Sequence, residues 1–414
     1  MILRARAVLP ISAPPIANGA VVISGDRIVQ VDRWNKIVGR SSARVTDLGE
    51  VVLMPGLINA HCHLDYTNMA GQFEPPKVFS DWLKDITSTK AGWSLADYTE
   101  SWRAGAEMLL RTGTTTVADI EAVPQLLPHV WNATPLRIIS FLELIGITSR
   151  RPPETVLQEA LEKIDAVTEG RCQIALSPHA PYSTVPELLR LTAQAARRNK
   201  TLLSTHVAES SLEFEMFTRA KGAMFDWLQR SGRDMSDCGL GSPVRHIERC
   251  GLLTPSLVVV HANYLAPGDA GILARNGVSV AHCPRSHAYF RHGRFPARRL
   301  MRAGVNVCLG TDSLATVQRT RDRSLELNMF KEMHAFAERE SWVSARRIVR
   351  MATVNGARAL GRAGQLGEIK AGSQADLVAL PFKGKLGNVH NAVVEHEGDV
   401  AASLIDGQWA KSPL

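Results

Sequence analysis

The chain has 414 residues, 45% of them hydrophobic and 21% charged, proportions that exclude a disordered or fibrous protein. That length exceeds one ordinary domain of about 100–150 residues and suits one large barrel or two to three smaller units. Lys and Arg outnumber Asp and Glu by 48 to 40, a formal +8, yet aromatics are only 6% and no basic-aromatic alternation accompanies the excess. The expectation is a modest attraction for anionic small molecules and no nucleic-acid partner.

In chain order, Met1 to Val22 carries Arg4 and Arg6, but Pro10, Pro14 and Pro15 break its apolar runs. No secretory leader is expected there. No stretch anywhere approaches the roughly 18–20 apolar residues of a membrane span, so no membrane partner is expected either. Residues 1–50 alternate apolar and polar positions around turn signals, as in Ala20–Ser24, Gly25-Asp26 and Arg27–Val31, which reads as hairpins. The same pattern returns in Ala375–Leu380 and Ala402–Gly407, so the two ends are expected to share one small sheet.

Between them, short β-branched runs alternate with longer helical segments such as Val185–Arg198 and Glu326–Glu338. The runs are Val51–Ile58, Thr114–Ala118, Arg137–Leu144, Gln173–Leu176, Leu202–Thr205, Leu257–Val260, Val278–Ala281 and Val305–Leu309. Strands buried on both faces and separated by helices indicate a parallel sheet, and eight of them fit a (β/α)8 TIM barrel. Long insertions follow the first run (62–100) and the fifth (207–250), where lids over a substrate are expected. The six cysteines are scattered without a CxxC pair, which reads as reduced thiols in a cytoplasmic protein.

Chemistry-bearing residues gather where these runs end. His61 and His63 follow the first run with i, i+2 spacing, so both rings share one side. His179 follows the fourth run and His206 the fifth, with Glu209 three positions on. His261 closes the sixth and Asp312 the eighth. Strand C-termini are where barrel enzymes place their sites, so all of these should face one crater. Three imidazoles and one carboxylate suit Zn²⁺ or Fe²⁺, with Cys62 packed away behind the histidines.

With Pro55–His63, His179, His206-Val207-Ala208-Glu209, His261, Gly310-Thr311-Asp312, Ala352–Ala357 and Gly372–Leu377, the chain resembles the amidohydrolase superfamily. The likeness is to its branch of deaminases and chlorohydrolases acting on cyclic amidines, and it covers nearly the whole chain. It implies a small β-sandwich formed by both termini (1–54 and 364–414) around a catalytic barrel (55–363). It implies metal ligation by His61, His63, His206 and Asp312. Dinuclear relatives carry a carboxylated lysine at the end of the fourth strand; Ile174–His179 has none, so one metal is expected, zinc with iron as the alternative.

The expected catalytic roles follow. A divalent cation lowers the pKa of water it binds toward neutrality. Asp312 accepts a proton from that water, Glu209 protonates a ring nitrogen of the substrate, and His261 hydrogen-bonds the tetrahedral intermediate before ammonia leaves. His179 is expected to contact the heterocycle.

Substrate identity is less legible. Residues 285–302 hold six arginines and no acidic residue. Arg285, Ser286 and His287, nearest the seventh strand, are expected to bind an anionic tail, with Arg150 and Arg151 as weaker candidates. Phe79, Trp82 and Trp93 in the first insertion are expected either to cover a base or to pack the lid. Cys283–His287 with Tyr289-Phe290 is similar to aminodeoxyfutalosine deaminases of a menaquinone pathway, whose adenine nucleoside-like substrate bears a carboxylated aromatic. Adenosine and S-adenosylhomocysteine are the competing substrates. The alternatives are a triazine-type chlorohydrolase or aminohydrolase, and a non-catalytic interaction protein. The resemblance also implies a homodimer.

Overall fold

A computed structural model describes residues 1–413 except 40–42, 149, 167–169 and 320–324. The N-terminal hairpins form as read: β1 (Ile2–Val8), β2 (Ile16–Ser24), β3 (Arg27–Arg33), the short β4 (Val45–Asp47) and β5 (Val51–Pro55). Eight barrel strands follow: β6 (Leu57–Cys62), β7 (Thr114–Glu121), β8 (Arg137–Leu144), β9 (Gln173–Pro178), β10 (Leu203–Val207), β11 (Leu257–His261), β12 (Ser279–His282) and β13 (Asn306–Leu309). The chain ends in β14 (Leu377–Pro381), β15 (Ala402–Ile405) and β16 (Gln408–Lys411).

One expected strand divides in two. The run Val51–Ile58 breaks at Gly56: β5 joins the terminal sheet and β6 opens the barrel. Gly56 is required by close approach, since a Cβ there would lie 2.0 Å from the Thr115 hydroxyl oxygen. β14 pairs antiparallel with β5, and β1 pairs parallel with it. The ends therefore make one mixed hydrogen-bonded sheet ordered β16-β15-β14-β5-β1-β2-β3, with β4 alongside β1. Leu3, Val21, Leu53, Leu377 and Leu404 fill a core of its own, drawn from both ends of the chain.

The barrel strands run parallel in sequence order from β6 to β13. Period-two alternation sends Ile58, Ala118, Ile139, Phe141, Ala175, Val258, Ala281 and Cys308 into one shared cluster, the barrel interior. The ring closes beyond β13, where Cys62 bridges Asp312 and the Thr311 N–H donates to His61 O at 3.0 Å. The first insertion supplies helices Phe79–Ala91 and Leu95–Arg111; the second supplies Ser211–Arg219, Ala223–Arg230 and Pro243–Arg249. Among the described residues, no helix is long and apolar enough to cross a membrane.

Candidate active site

The β6–β7 register shifts between Asn59 and Cys62, and this irregularity re-aims the end of β6 so that His61 and His63 turn inward. The opposite wall is clamped to the same place. The Asn59 side chain donates to the Thr311 hydroxyl at 2.8 Å and accepts the Thr311 N–H at 3.1 Å. Gly310 lets the two backbones meet, since a Cβ there would sit 2.7 Å from His61 O. Asp312, at φ 56, and His261, at φ 71, hold left-handed backbone conformations that non-glycine residues rarely adopt.

These constraints converge the expected ligands. His61 Nε2 and His63 Nε2 each lie 3.7 Å from Asp312 Oδ1. The His61 ring centroid is 5.0 Å from that of His63 and 4.9 Å from that of His206. Donor atoms of His61, His63 and His206, and of His61, His261 and Asp312, fall within 4.8 Å of one another. Both nitrogens of His61 and Nδ1 of His63 are buried without a hydrogen-bond partner. Buried imidazoles left unpaired around a carboxylate are what a divalent metal would satisfy. The His206 Nδ1 lies 2.8 Å from the carbonyl of His179, which leaves its other nitrogen for the centre.

Electrostatics agree with that use. Burial pushes the His206 imidazole down to about 3, helped by His179 and His61, so the ring is neutral and able to ligate. Burial lowers His63 and His261 likewise. Burial alone would raise the Asp312 carboxyl, but His61, His261 and His63 outweigh it and hold the group well below the usual carboxylate range. Glu209 behaves oppositely: burial, then the charges of Asp312 and Glu213, push its carboxyl well up. Its Oε1 sits 3.6 Å from His261 Nε2, beside the converged imidazoles.

Glu209 is positioned by residues that the sequence reading missed. Glu213 accepts the N–H groups of Ala208 and Glu209, both at 2.9 Å. The Asn263 amide donates to Glu209 O at 2.9 Å, and Asn263 Oδ1 lies 3.0 Å from His287 Nδ1. His287, expected at the substrate, thus acts as a support behind Asn263. Phase along β8 could have revealed Glu143, since Ile139 and Phe141 point into the barrel and Glu143 continues their face. Its carboxylate lines the pocket, 3.8 Å from His179 Nε2.

The pocket over this centre is walled by Trp82, Leu83, Ile86, Ile145, Ile147, Tyr182 and Trp227, with Tyr66, Lys90, Glu143, His179 and Ser183 as polar groups. Of the residues expected at the substrate, Trp82 and His179 line this pocket. Phe79 does not line it; the ring packs 5.1 Å from Phe290 and helps hold the lid helix to the barrel. Trp93 packs on Tyr98 instead. Arg285 is the main correction. It turns away from the pocket into an ion pair with buried Glu332, and a second nitrogen donates to Glu326 O at 3.0 Å. Ser286 is also buried outside the pocket. Arg151 pairs with Glu159, and with Arg150 it lines a separate surface groove. Cys62 is fully buried in the core outside the barrel, as expected.

Residues 52–410 match the model of the amidohydrolase family. The chain belongs to the amidohydrolase family. A 5-methylthioadenosine/S-adenosylhomocysteine deaminase of Syntrophobacter fumaroxidans is 32% identical over 406 residues, covering 94% of this chain and 87% of that relative. The crystal structure of an adenosine deaminase from Xanthomonas campestris with bound zinc superposes with a TM-score of 0.85 at 26% identity, over 99% of this chain and 92% of that one. An aminofutalosine deaminase of Helicobacter pylori, in complex with methylthio-coformycin, shares the fold with a TM-score of 0.87 at 22% identity, over 99% of both chains. This chain's own centre is imidazole-rich, and β9 carries no lysine.

Proposed function

We propose that the chain is a metal-dependent hydrolytic deaminase of a 6-aminopurine nucleoside, with aminodeoxyfutalosine the first candidate and adenosine or S-adenosylhomocysteine next. The observation that carries this reading is the buried Glu209 carboxyl, whose proton affinity burial raises, set beside the converged imidazoles on the wall of a pocket that also holds Trp82, Glu143 and Trp227. One divalent metal, zinc or iron, held by His61, His63, His206 and Asp312, would supply an activated water.

The chain's own groups do the rest. Glu209 passes its proton to the ring nitrogen next to the amino-bearing carbon, which makes that carbon electrophilic. The Asp312 carboxylate takes a proton from the attacking water and returns it to the departing amine. His261, beside both carboxyl groups, steadies the oxygen that becomes the product carbonyl. The carbon–nitrogen bond breaks, ammonia leaves, the proton left on the added oxygen passes back to Glu209, and a 6-oxopurine remains. His179 contacts the heterocycle, held through its Nδ1, 2.5 Å from the Ser183 hydroxyl. Glu143 is an acceptor suited to sugar hydroxyls, a feature that favours a nucleoside over a simple triazine.

Ammonia release by the zinc-loaded protein tests the reading. The panel is aminodeoxyfutalosine, adenosine, S-adenosylhomocysteine, methylthioadenosine, guanine, cytosine and an amino-triazine. Turnover confined to the 6-aminopurine nucleosides is expected. Chloride or alkylamine release from triazines, with the nucleosides untouched, would replace it with the chlorohydrolase reading.

A further inference from the structure

The reaction as proposed leaves one cation in the pocket unused. Lys90 lies in the last turn of the lid helix Phe79–Ala91 and lines the pocket from that side. Its ammonium donates to the hydroxyl of Tyr66 and lies 4.8 Å from that ring's centroid. The Tyr66 ring in turn stacks on His63 with centroids 5.2 Å apart, so one side chain separates the ammonium from the ligand cluster. Among the described residues, no carboxylate oxygen lies within 4.0 Å of the Lys90 nitrogen. The walls nearby are largely apolar, with Trp82, Ile86, Ile145, Ile147 and Trp227.

A lysine in such a place is half-buried, with a hydroxyl and a ring face directly against its ammonium, while the carboxyl whose charge it feels, the buried Asp65, makes no direct ion pair with it. An anion arriving there would form a charge-assisted hydrogen bond in surroundings that screen it less than open water does. An apolar arm between anion and ring would suit the indole and isoleucine walls of the same pocket.

We propose that Lys90 is the specificity residue for a carboxylate carried on an apolar arm of the nucleoside substrate, the role sequence reading had given to Arg285. This rests on the nucleoside-deaminase reading only for the identity of the ring. Because charge and stem can be separated, Lys90→Met and Lys90→Arg form the test pair: the first keeps the apolar stem over Tyr66, the second keeps the charge.

Calorimetric titration of the zinc-loaded protein with two product-type ligands measures the effect without turnover. The ligands are 5′-deoxy-5′-(4-carboxyphenylthio)inosine and its uncharged phenylthio counterpart. The native chain should bind the carboxylated ligand about ten- to a hundredfold more tightly, the range expected of a hydrogen bond to a charged group. Lys90→Met should abolish that preference, Lys90→Arg should retain most of it, and the uncharged ligand should bind all three proteins within about twofold. Equal affinity for the two ligands in the native chain, or a preference that survives Lys90→Met, overturns the proposal. Ammonia release from the matching 6-amino compounds is measured in parallel. Its absence, with Lys90-dependent carboxylate binding intact, refutes the deaminase reading and leaves the anion anchor standing.

Discussion

Two groups of buried histidines lie near the C-terminal ends of the barrel strands, and only one is arranged as a ligand set. His61, His63 and His261 lie about Asp312, and His206 joins the same centre through His61 and His63. His282, at the end of β12, stacks on Phe295 with centroids 3.7 Å apart, and His287 and His292 pack beside it. Burial pushes His206 and His261 of the first group down just as it does His282 and His287 of the second, so a lowered pKa and low exposure do not separate the groups. Convergence does. Among the described residues, none of the donor groups within 4.8 Å of one another includes His282, His287 or His292. A metal needs several donors converging at one point, whereas a packed histidine needs only an aromatic neighbour or one hydrogen bond.

The sharpest way to break this contrast is at Glu209. Glu209→Gln should keep its metal and lose turnover by about 10²–10⁴-fold, the range for removing a positioned general acid. Ammonia release and metal content on the same sample check it; near-native turnover would remove Glu209 from the chemistry. Next comes the ligand set itself. Asp312→Asn or His206→Ala should lower bound metal well below one equivalent, while His282→Phe should leave it at one, read by atomic spectrometry. Full metal in Asp312→Asn would show that the carboxylate is not a ligand.

Metal removal gives a smaller, graded effect. At a free zinc concentration one hundred times its dissociation constant, the native state should gain about 2.7 kcal/mol over the chelated protein. Thermal melting with and without chelator measures it, and His61→Ala should not show the gain. An unchanged melting temperature in the native chain would mean that the centre holds no tightly bound ion.

The second group makes its own prediction, through pH. Burial pushes His287 down to about 4 from an ordinary 6.5, so the native state disfavours its protonation. Its contribution is complete above pH 6.5, where neither state is protonated, and is lost as pH falls from 6.5 toward 4, where only the unfolded chain gains the proton. The loss over that interval is about 3 kcal/mol at most. His287→Gln, which can still meet Asn263, should flatten that limb of a urea-unfolding series. An equally steep limb in the variant would assign the acid sensitivity to other groups.

Much of this molecule was legible before folding was considered. The strand β8 spans the run read from sequence, Arg137–Leu144, and the other barrel strands differ from their runs mainly at the C-terminal ends. Those ends were missed for one reason: each runs on into polar residues such as His206 and His261, which interrupt an apolar pattern but continue the ladder. The ligand-type residues were legible because each follows a recognisable strand. Arg285 was misread because distance along the chain from a strand end does not say which way a helical side chain turns. The first turn of helix Pro284–Tyr289 directs Arg285 to Glu332, a partner 47 positions away.

By itself, the order of residues determined the alternation of strands and helices, the hairpins at both ends, and the chemical kind of the residues at each strand terminus. These are local properties, set by side-chain periodicity and turn chemistry over a few residues. Tertiary structure alone decided the rest: the split at Gly56, the Asn59–Thr311 clamp that closes the ring, the Glu213 and Asn263 supports of Glu209, and the placing of Lys90 in the pocket instead of Arg285. Each joins segments distant in sequence or in different elements. Their pairing depends on how the closed barrel and its lid bring surfaces together, which no local pattern encodes.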